Sequence, residues 1–353
     1  MRYFLSFMLL AGSSAFAADS GINGRWDIRY PGSTGRASWL EVQGAGTPSP
    51  KARFVSAYGG DLNIADEVSI KGGELTLVFA TRQRRQRGGE PVTVRFIYKA
   101  RLNGAQLVGT AETEGSTGPA TKWVGVRAPE IRDKDDGTWR EGKPAQLFNA
   151  KDLTGWEALQ KEKTFGWTVE NGVLRAPGGS GSADLVSTAK FWNFKLHIEF
   201  KTAKGSNSGV GLRDRYEIQI LDDYGQPPDT HSTGSLYSRV APSVNAGKPP
   251  GEWQAYDITL IGRDLTVVLN GKKILDKVTV EGLTAMGHDP NEGEPGPFSL
   301  QGDHGSIEFR NITVTPLVSG TGGSARRAIP SQVLNDPPRY PASAPRKALA
   351  VLS

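Results

Sequence analysis

His304 stands in the run Gln301-Gly302-Asp303-His304-Gly305. Two glycines let the backbone turn tightly there. A histidine on such a turn has the chemistry of a general base or a metal ligand, and equally that of a solvated turn residue. His231 and His288 lie in loops rich in Pro, Gly and Asp and carry weaker signals. Two further segments set carboxylates at strand spacing. In Phe194–Lys201, residues Leu196, Ile198 and Phe200 point one way and Lys195, His197, Glu199 and Lys201 the other. In Tyr216–Asp222, Tyr216, Ile218 and Ile220 share one face and Glu217, Gln219 and Leu221 the other. Such a polar face either lines a groove that holds a sugar or lies on a solvated convex surface, and alternation leaves both open. No histidine pair has the spacing of a helical zinc motif, and the chain has no serine elbow, P-loop or dinucleotide fingerprint.

The elements that must position these groups are strands. The 353 residues contain 44 glycines and 22 prolines, a composition of many turns and short strands, and helical periodicity is missing. Residues 21–128 alternate strand patterns with turn signals such as Tyr58-Gly59-Gly60, Lys71-Gly72-Gly73 and Asn103-Gly104, which suits a small β-barrel or β-sandwich domain of unknown role. Residues 129–145 are charged and turn-prone and read as a linker. Residues 146–317 carry strands at Phe194–Phe200, Val210–Leu212, Tyr216–Leu221, Tyr256–Ile261 and Leu265–Leu269, then Phe298–Gln301 and Ser306–Val314. Asn270-Gly271 is a strong hairpin signal. An antiparallel jelly-roll sandwich accommodates this number of strands. Residues 318–353 lack periodicity and are expected to be disordered.

Composition narrows the function. Cysteine is absent, which excludes disulfides, thiolate metal sites, a cysteine nucleophile and a lipidated cysteine anchor. The net charge of +5 is spread along the chain. Its one dense run, Arg82, Arg84, Arg85 and Arg87 before Gly88-Gly89, reads as a solvated hairpin loop, so no nucleic-acid partner is expected. Arg2, the apolar run Tyr3–Ala11 and Ala15-Phe16-Ala17 read as a signal peptide over residues 1–17, cut after Ala17 or Ala18, which implies a secreted or periplasmic protein. The apolar run is far shorter than the ~20 residues of a membrane span, and none is expected later.

An ordered series of segments resembles the 3-keto-disaccharide hydrolase family, exported bacterial domains with a concanavalin-like jelly roll. Leu147-Phe148-Asn149-Ala150-Lys151-Asp152-Leu153-Thr154-Gly155-Trp156 is similar to its opening motif, with Ala150 where glycine is usual, and Trp167–Leu174 to the next strand pair. Asn207-Ser208-Gly209-Val210-Gly211-Leu212-Arg213 with Tyr216–Asp222 is similar to its central signature. Thr233–Tyr237, Lys248–Trp253, Gln301–Gly305 and Phe309–Ile312 follow in order. The resemblance implies an all-β fold and an exported enzyme that cleaves 3-keto-glycosides by C2 deprotonation and elimination at C1, with a lyase or net hydrolase outcome. It implies His304 and Glu217 as catalytic residues. Glu199, Asn207, Arg213, Gln219, Tyr237, Lys248, Trp253 and Gln301 would bind a 3-keto-glucoside or related sugar, and one divalent metal ion could be held by Glu217 and His304. The competing readings are a non-catalytic carbohydrate-binding jelly roll and a conventional glycosidase using Glu199 and Glu217.

Overall fold

The computed structural model describes residues 21–31, 36–84 and 90–320. The expected signal peptide, the arginines at 85 and 87 and the tail from 321 on lie outside the described residues. Among the described residues there is no helix, and every pairing between strands is antiparallel. The fold is all-β, as expected.

The first nine strands are β1 (Gly24–Arg29), β2 (Ser38–Gln43), β3 (Lys51–Val55), β4 (Leu62–Ile64), β5 (Glu67–Lys71), β6 (Glu74–Arg84), β7 (Pro91–Asn103), β8 (Gln106–Thr113) and β9 (Thr121–Arg127). Their order, β4-β3-β2-β1-β9-β8-β7-β6-β5, is cyclic in sequence. The two ends, β4 and β5, are joined by Ala65 and Asp66 alone, whose N–H groups bond back to the carbonyls of Ala52 and Val78. The sheet is therefore an up-and-down barrel with a seam between β4 and β5. Alternate residues point inward and build one core: Trp26, Ile28, Leu40, Phe54, Leu77, Phe79, Tyr98 and Trp123. Phe54 is its hub, with ring centroids 4.6 Å from Tyr98, 6.1 Å from Trp123 and 6.2 Å from Phe79.

The remaining strands form two facing sheets. Their ranges are β10 (Trp139–Glu141), β11 (Ala145–Gln146), β12 (Trp156–Ala158), β13 (Thr168–Glu170), β14 (Val173–Ala176), β15 (Leu185–Ser187), β16 (Phe194–Thr202), β17 (Asn207–Leu212), β18 (Tyr216–Leu221), β19 (Gln254–Ile261), β20 (Asp264–Leu269), β21 (Lys272–Thr279), β22 (Ser299–Leu300) and β23 (Ile307–Ser319). The larger sheet runs β13-β14-β23-β16-β19-β20-β21, with β10 and β11 also on β23. The smaller runs β12-β15-β22-β17-β18. Leu196, Ile198 and Phe200 of the larger sheet and Val210, Leu212, Ile218 and Ile220 of the smaller share one core between them, the jelly-roll sandwich. Asn270 and Gly271 turn the β20–β21 hairpin with φ of 52° and 81°, the left-handed pair that a two-residue turn requires. The charged segment before β10 lies along this sandwich. The Asp133 carboxylate accepts from Trp192 Nε1 at 2.7 Å and Asn193 Nδ2 at 2.9 Å.

Barrel and sandwich are pressed together. Ala37, Trp39 and Val55 of the barrel pack with Leu283 and Ala285 of the sandwich in a third apolar cluster. The Trp39 indole lies so close to Gly282 that a Cβ there would come within 2.1 Å of it. Polar contacts surround this cluster. Ala37 N–H donates to Gly287 at 2.9 Å, Leu62 N–H to Ser238 Oγ at 3.0 Å, and His231 Nε2 meets Asp61 at 2.7 Å. Deeper in the same seam, Asp27 of β1 faces Glu292. Burial first and Glu292 next push the Asp27 carboxyl up to about 9, while Arg263 holds Glu292 ionised against its own burial. A proton shared between two such carboxyls lets both be buried.

Gly282→Ala should therefore force the two bodies apart. The expected result is a loss of ~1–3 kcal/mol, the scale of overpacking a filled contact, read as a fall in thermal midpoint. An unchanged midpoint would contradict the contact.

Candidate active site

Alternation decides which residues leave the core, and the sheet pairing decides where they arrive. On β18 the core takes Tyr216, Ile218 and Ile220, so Glu217 and Gln219 stand on the outer face of the smaller sheet. Across from them β17 presents Gly209 and Gly211, which register against Gln219 and Glu217. The missing side chains make room for the carboxylate. A Cβ at Gly209 would meet Glu217 Oε1 at 2.6 Å. Gln301 and Ser299 lie on the same face. The buried Gln301 Oε1 and Ser299 Oγ have no hydrogen-bond partner among the described residues, so this floor keeps acceptors and donors to spare. Asn207 Oδ1 accepts weakly from Gln219 Nε2 at 3.4 Å.

The turn after β22 delivers His304 to this face. Its Nδ1 lies 2.5 Å from Asp303 Oδ1. Asp303 also takes Lys163 Nζ at 3.0 Å and lies 3.8 Å from Arg36 Nη2, a residue of the barrel. Burial works to raise the Asp303 carboxyl, but His304 and Lys163 outweigh it and hold the group well below the usual carboxylate range. Asp303 is therefore an acceptor only, and the proton it shares sits on Nδ1. That leaves His304 Nε2 as the basic nitrogen. The hydrogen bond to Asp303 raises the imidazole above its ordinary value, against partial burial.

Glu217 is the most perturbed group here. Burial pushes its carboxyl up to about 8, with Asp184 and Asp303 adding to the rise and the charges of Arg36 and His304 opposing it. Among the described residues its carboxylate accepts no hydrogen bond. Asp184 is fully buried and orders the wall beside it, accepting from Gly302 N–H at 2.8 Å and from Gln160 Nε2 at 2.9 Å. Tyr237 closes the other side. Its backbone N–H donates to the Glu217 carbonyl at 3.1 Å, and burial followed by the Asp61 charge pushes its phenol up to about 12.

The structure thus gathers Glu217, Gln219, Asn207, Tyr237, Gln301 and His304, and separates the other four residues expected with them. Glu199 lies on the outer face of the larger sheet, bound by Arg310 Nε at 2.6 Å and Asn311 Nδ2 at 2.7 Å. Trp253 is on that same side, 4.0 Å from Arg310 and 5.1 Å from Lys201. Lys248 goes with it, its Nζ donating to the Trp253 carbonyl at 3.0 Å. Strand parity puts Glu199 on a polar face, but that face belongs to the opposite sheet. Arg213 is fully buried. Its guanidinium stacks 4.0 Å from Trp192 and donates to the carbonyls of Trp192 and Gly262 and to Asn193 Oδ1, so it pins a loop inside the fold, away from the surface where a ligand would bind.

Sequence reasoning passes over Asp303, Lys163, Asp184 and Arg36. Asp303 adjoins His304 and is within reach of a neighbour argument. The others come from distant loops with no periodic signal. Among the described residues no three His, Asp or Glu side chains are grouped as metal ligands. Of the pair expected to hold an ion, His304 has its Nδ1 engaged by Asp303.

The smaller sheet of the sandwich thus carries a raised Glu217 carboxyl and an Asp303–His304 pair over a floor of glycines. Residues 143–315 match the 3-keto-alpha-glucoside-1,2-lyase-like domain, and the chain carries a domain of the 3-keto-disaccharide hydrolase family. It is 26% identical over 228 residues, 48% of this chain and 77% of the relative, to a 3-keto-disaccharide hydrolase of Bacteroides thetaiotaomicron. Two crystal structures from Parabacteroides distasonis, both assigned by name to the glycosyl hydrolases, share 25% and 28% identity with it. Each covers 50% of this chain, and 94% and 100% of their own chains are covered, with TM-scores of 0.42 and 0.40.

The raised Glu217 makes a prediction for stability. Its folded value of about 8 lies above the ordinary 4.5, so the stability that its proton supports is full below pH ~4.5 and is lost as pH rises through 8. Glu217→Gln cannot ionise. It should gain on the parent by about 1–4 kcal/mol between pH 5 and pH 9, since each pH unit separating the folded and unfolded values is worth ~1.4 kcal/mol, less relaxation. Urea unfolding at pH 5 and pH 9 measures this, and a constant difference would contradict the burial.

Proposed function

We propose that the protein cleaves the glycosidic bond of 3-keto-glycosides by removing the proton at C2 and expelling the substituent at C1. The observation that carries this reading is the Asp303–His304 pair beside a Glu217 carboxyl raised to about 8 on one sheet face. A ketone at C3 acidifies the C2 hydrogen. His304 Nε2 takes that proton, and the electron pair left on C2 is delocalised onto the ketone oxygen as an enolate. Asp303 fixes the ring by its Nδ1–H and stabilises the imidazolium that forms. When the ketone re-forms, the C2 electron pair makes a C1=C2 double bond and the C1–O bond breaks. Glu217, largely protonated at neutral pH, gives its proton to the departing oxygen. Addition of water across C1=C2 afterwards makes the net result a hydrolysis, and release of the unsaturated sugar makes it a lyase reaction. Gln301, Ser299 and Gln219 offer hydrogen bonds to ring hydroxyls.

The separation of Glu199 from Glu217 favours this reading over an ordinary glycosidase, which needs its two carboxyls on either side of one bond. A plain disaccharide and its 3-keto form, offered in parallel, test it. Cleavage of the keto form alone is expected. Cleavage of both would overturn the elimination, and cleavage of neither would leave a sugar-binding module. His304→Ala and Glu217→Gln should each lower turnover of the keto substrate by ~10²-fold or more, with the thermal midpoint at pH 5 retained.

We infer also that the chain is exported, from Arg2, the short apolar run and Ala15-Phe16-Ala17. N-terminal sequencing of protein from the producing cell should read from Ala18 or Asp19. Retention of Met1 would contradict it.

A further inference from the structure

The elimination leaves one requirement open: a positive group for the enolate oxygen. Arg213 and Lys248, the positive residues expected to bind the sugar, are placed elsewhere. We propose that the barrel supplies it, through Arg36, so that the active site is shared between the two bodies of the chain and the barrel is part of the catalytic unit. This rests on the elimination reading above.

Arg36 lies just before β2, at the point where the barrel meets the sandwich. Its neighbour Ala37 is buried in the shared apolar cluster and donates its N–H to Gly287 at 2.9 Å. Three residues on, Trp39 is wedged against Gly282. The backbone that carries Arg36 is therefore fixed relative to the smaller sheet. The side chain reaches over the outer face of that sheet. Nη2 is 3.8 Å from Asp303 Oδ2, beyond hydrogen-bond distance, and the side chain keeps 40% of its surface open. Asp303 already has His304 and Lys163. The Arg36 charge is felt by each of the three titrating groups around the floor, lowering Glu217, His304 and Tyr237 together. A cation in that position, with no donor engaged by a hydrogen bond among the described residues, can accept a negative oxygen that develops between the base and the acid. Stabilisation of this kind acts in the transition state and so appears in kcat.

A purely structural Arg36 would behave differently. As a half-exposed tie to Asp303 it would contribute little to stability and nothing to turnover. The test uses the full chain. Arg36→Gln should lower kcat on a 3-keto-α-glucoside by ~10²-fold or more while KM changes less than about fivefold and the thermal midpoint holds. Arg36→Lys should recover part of the loss. Loss of stability with kcat preserved would overturn the proposal. So would equal activity of the glutamine and lysine variants. A second readout does not need turnover. The ring-proton titration of His304, followed by NMR, should move to higher pH in Arg36→Gln, because the opposing charge is gone. If the parent protein fails to cleave the keto substrate, the elimination reading falls, while this titration still decides where Arg36 sits: an unmoved His304 would overturn its place in the site.

Discussion

The flat indole of Trp39 rests on the bare backbone of Gly282, and the position of everything above the smaller sheet follows from that contact. A side chain at 282 would hold the barrel off. With none there, Ala37, Val55, Leu283 and Ala285 close into a dry seam, and the loop edges around it interlock through His231 with Asp61 and Leu62 with Ser238. Apolar contact gives the seam its strength, and the polar pairs at its margin give it direction. The deeper Asp27–Glu292 pair shows how tightly water is excluded, since one of two facing carboxyls must keep its proton.

The same exclusion of water shapes the chemistry. Glu217 has an ordinary sequence setting, an acid at an alternate position of a short strand. Its unusual proton affinity comes from burial over Gly209, where no side chain competes for the space. A few residues away, Asp303 experiences burial too, yet it is pushed the opposite way because two donors meet it. Two carboxyls under one roof are thus driven apart, one kept neutral and one kept charged. In the proposed elimination these two environments supply the acid and orient the base.

Much of this is legible in the chain. Period-two alternation identifies β16 and β18 and tells core from polar face residue by residue. The Gly302–Gly305 turn marks His304, and Asn270-Gly271 marks its hairpin. Parity, however, reports only that a side chain leaves the core, and a sandwich has two outer faces. Glu199 and Glu217 carry the same local signal and emerge on opposite sides. Arg213 illustrates the reverse error. A charged residue in a turn suggests an exposed contact, yet its guanidinium is buried inside the fold and donates to Trp192, Asn193 and Gly262. Arg36, Lys163 and Asp184 are silent because they converge only through tertiary packing, from three loops with no repeat to betray them.

The boundary at which the family likeness begins, residue 143, is not a boundary of the folded body. Upstream of it lie Asp133, which ties down Trp192 and Asn193, the edge strand β10, and the whole of the barrel face that covers Gly282, Leu283 and Ala285. A fragment trimmed to the recognisable motif would open an apolar patch to water and leave β23 with part of its backbone unpaired. Both features invite self-association. For anyone who expresses this molecule in pieces, the natural cut points are those of the seam, and the seam offers none between the two bodies.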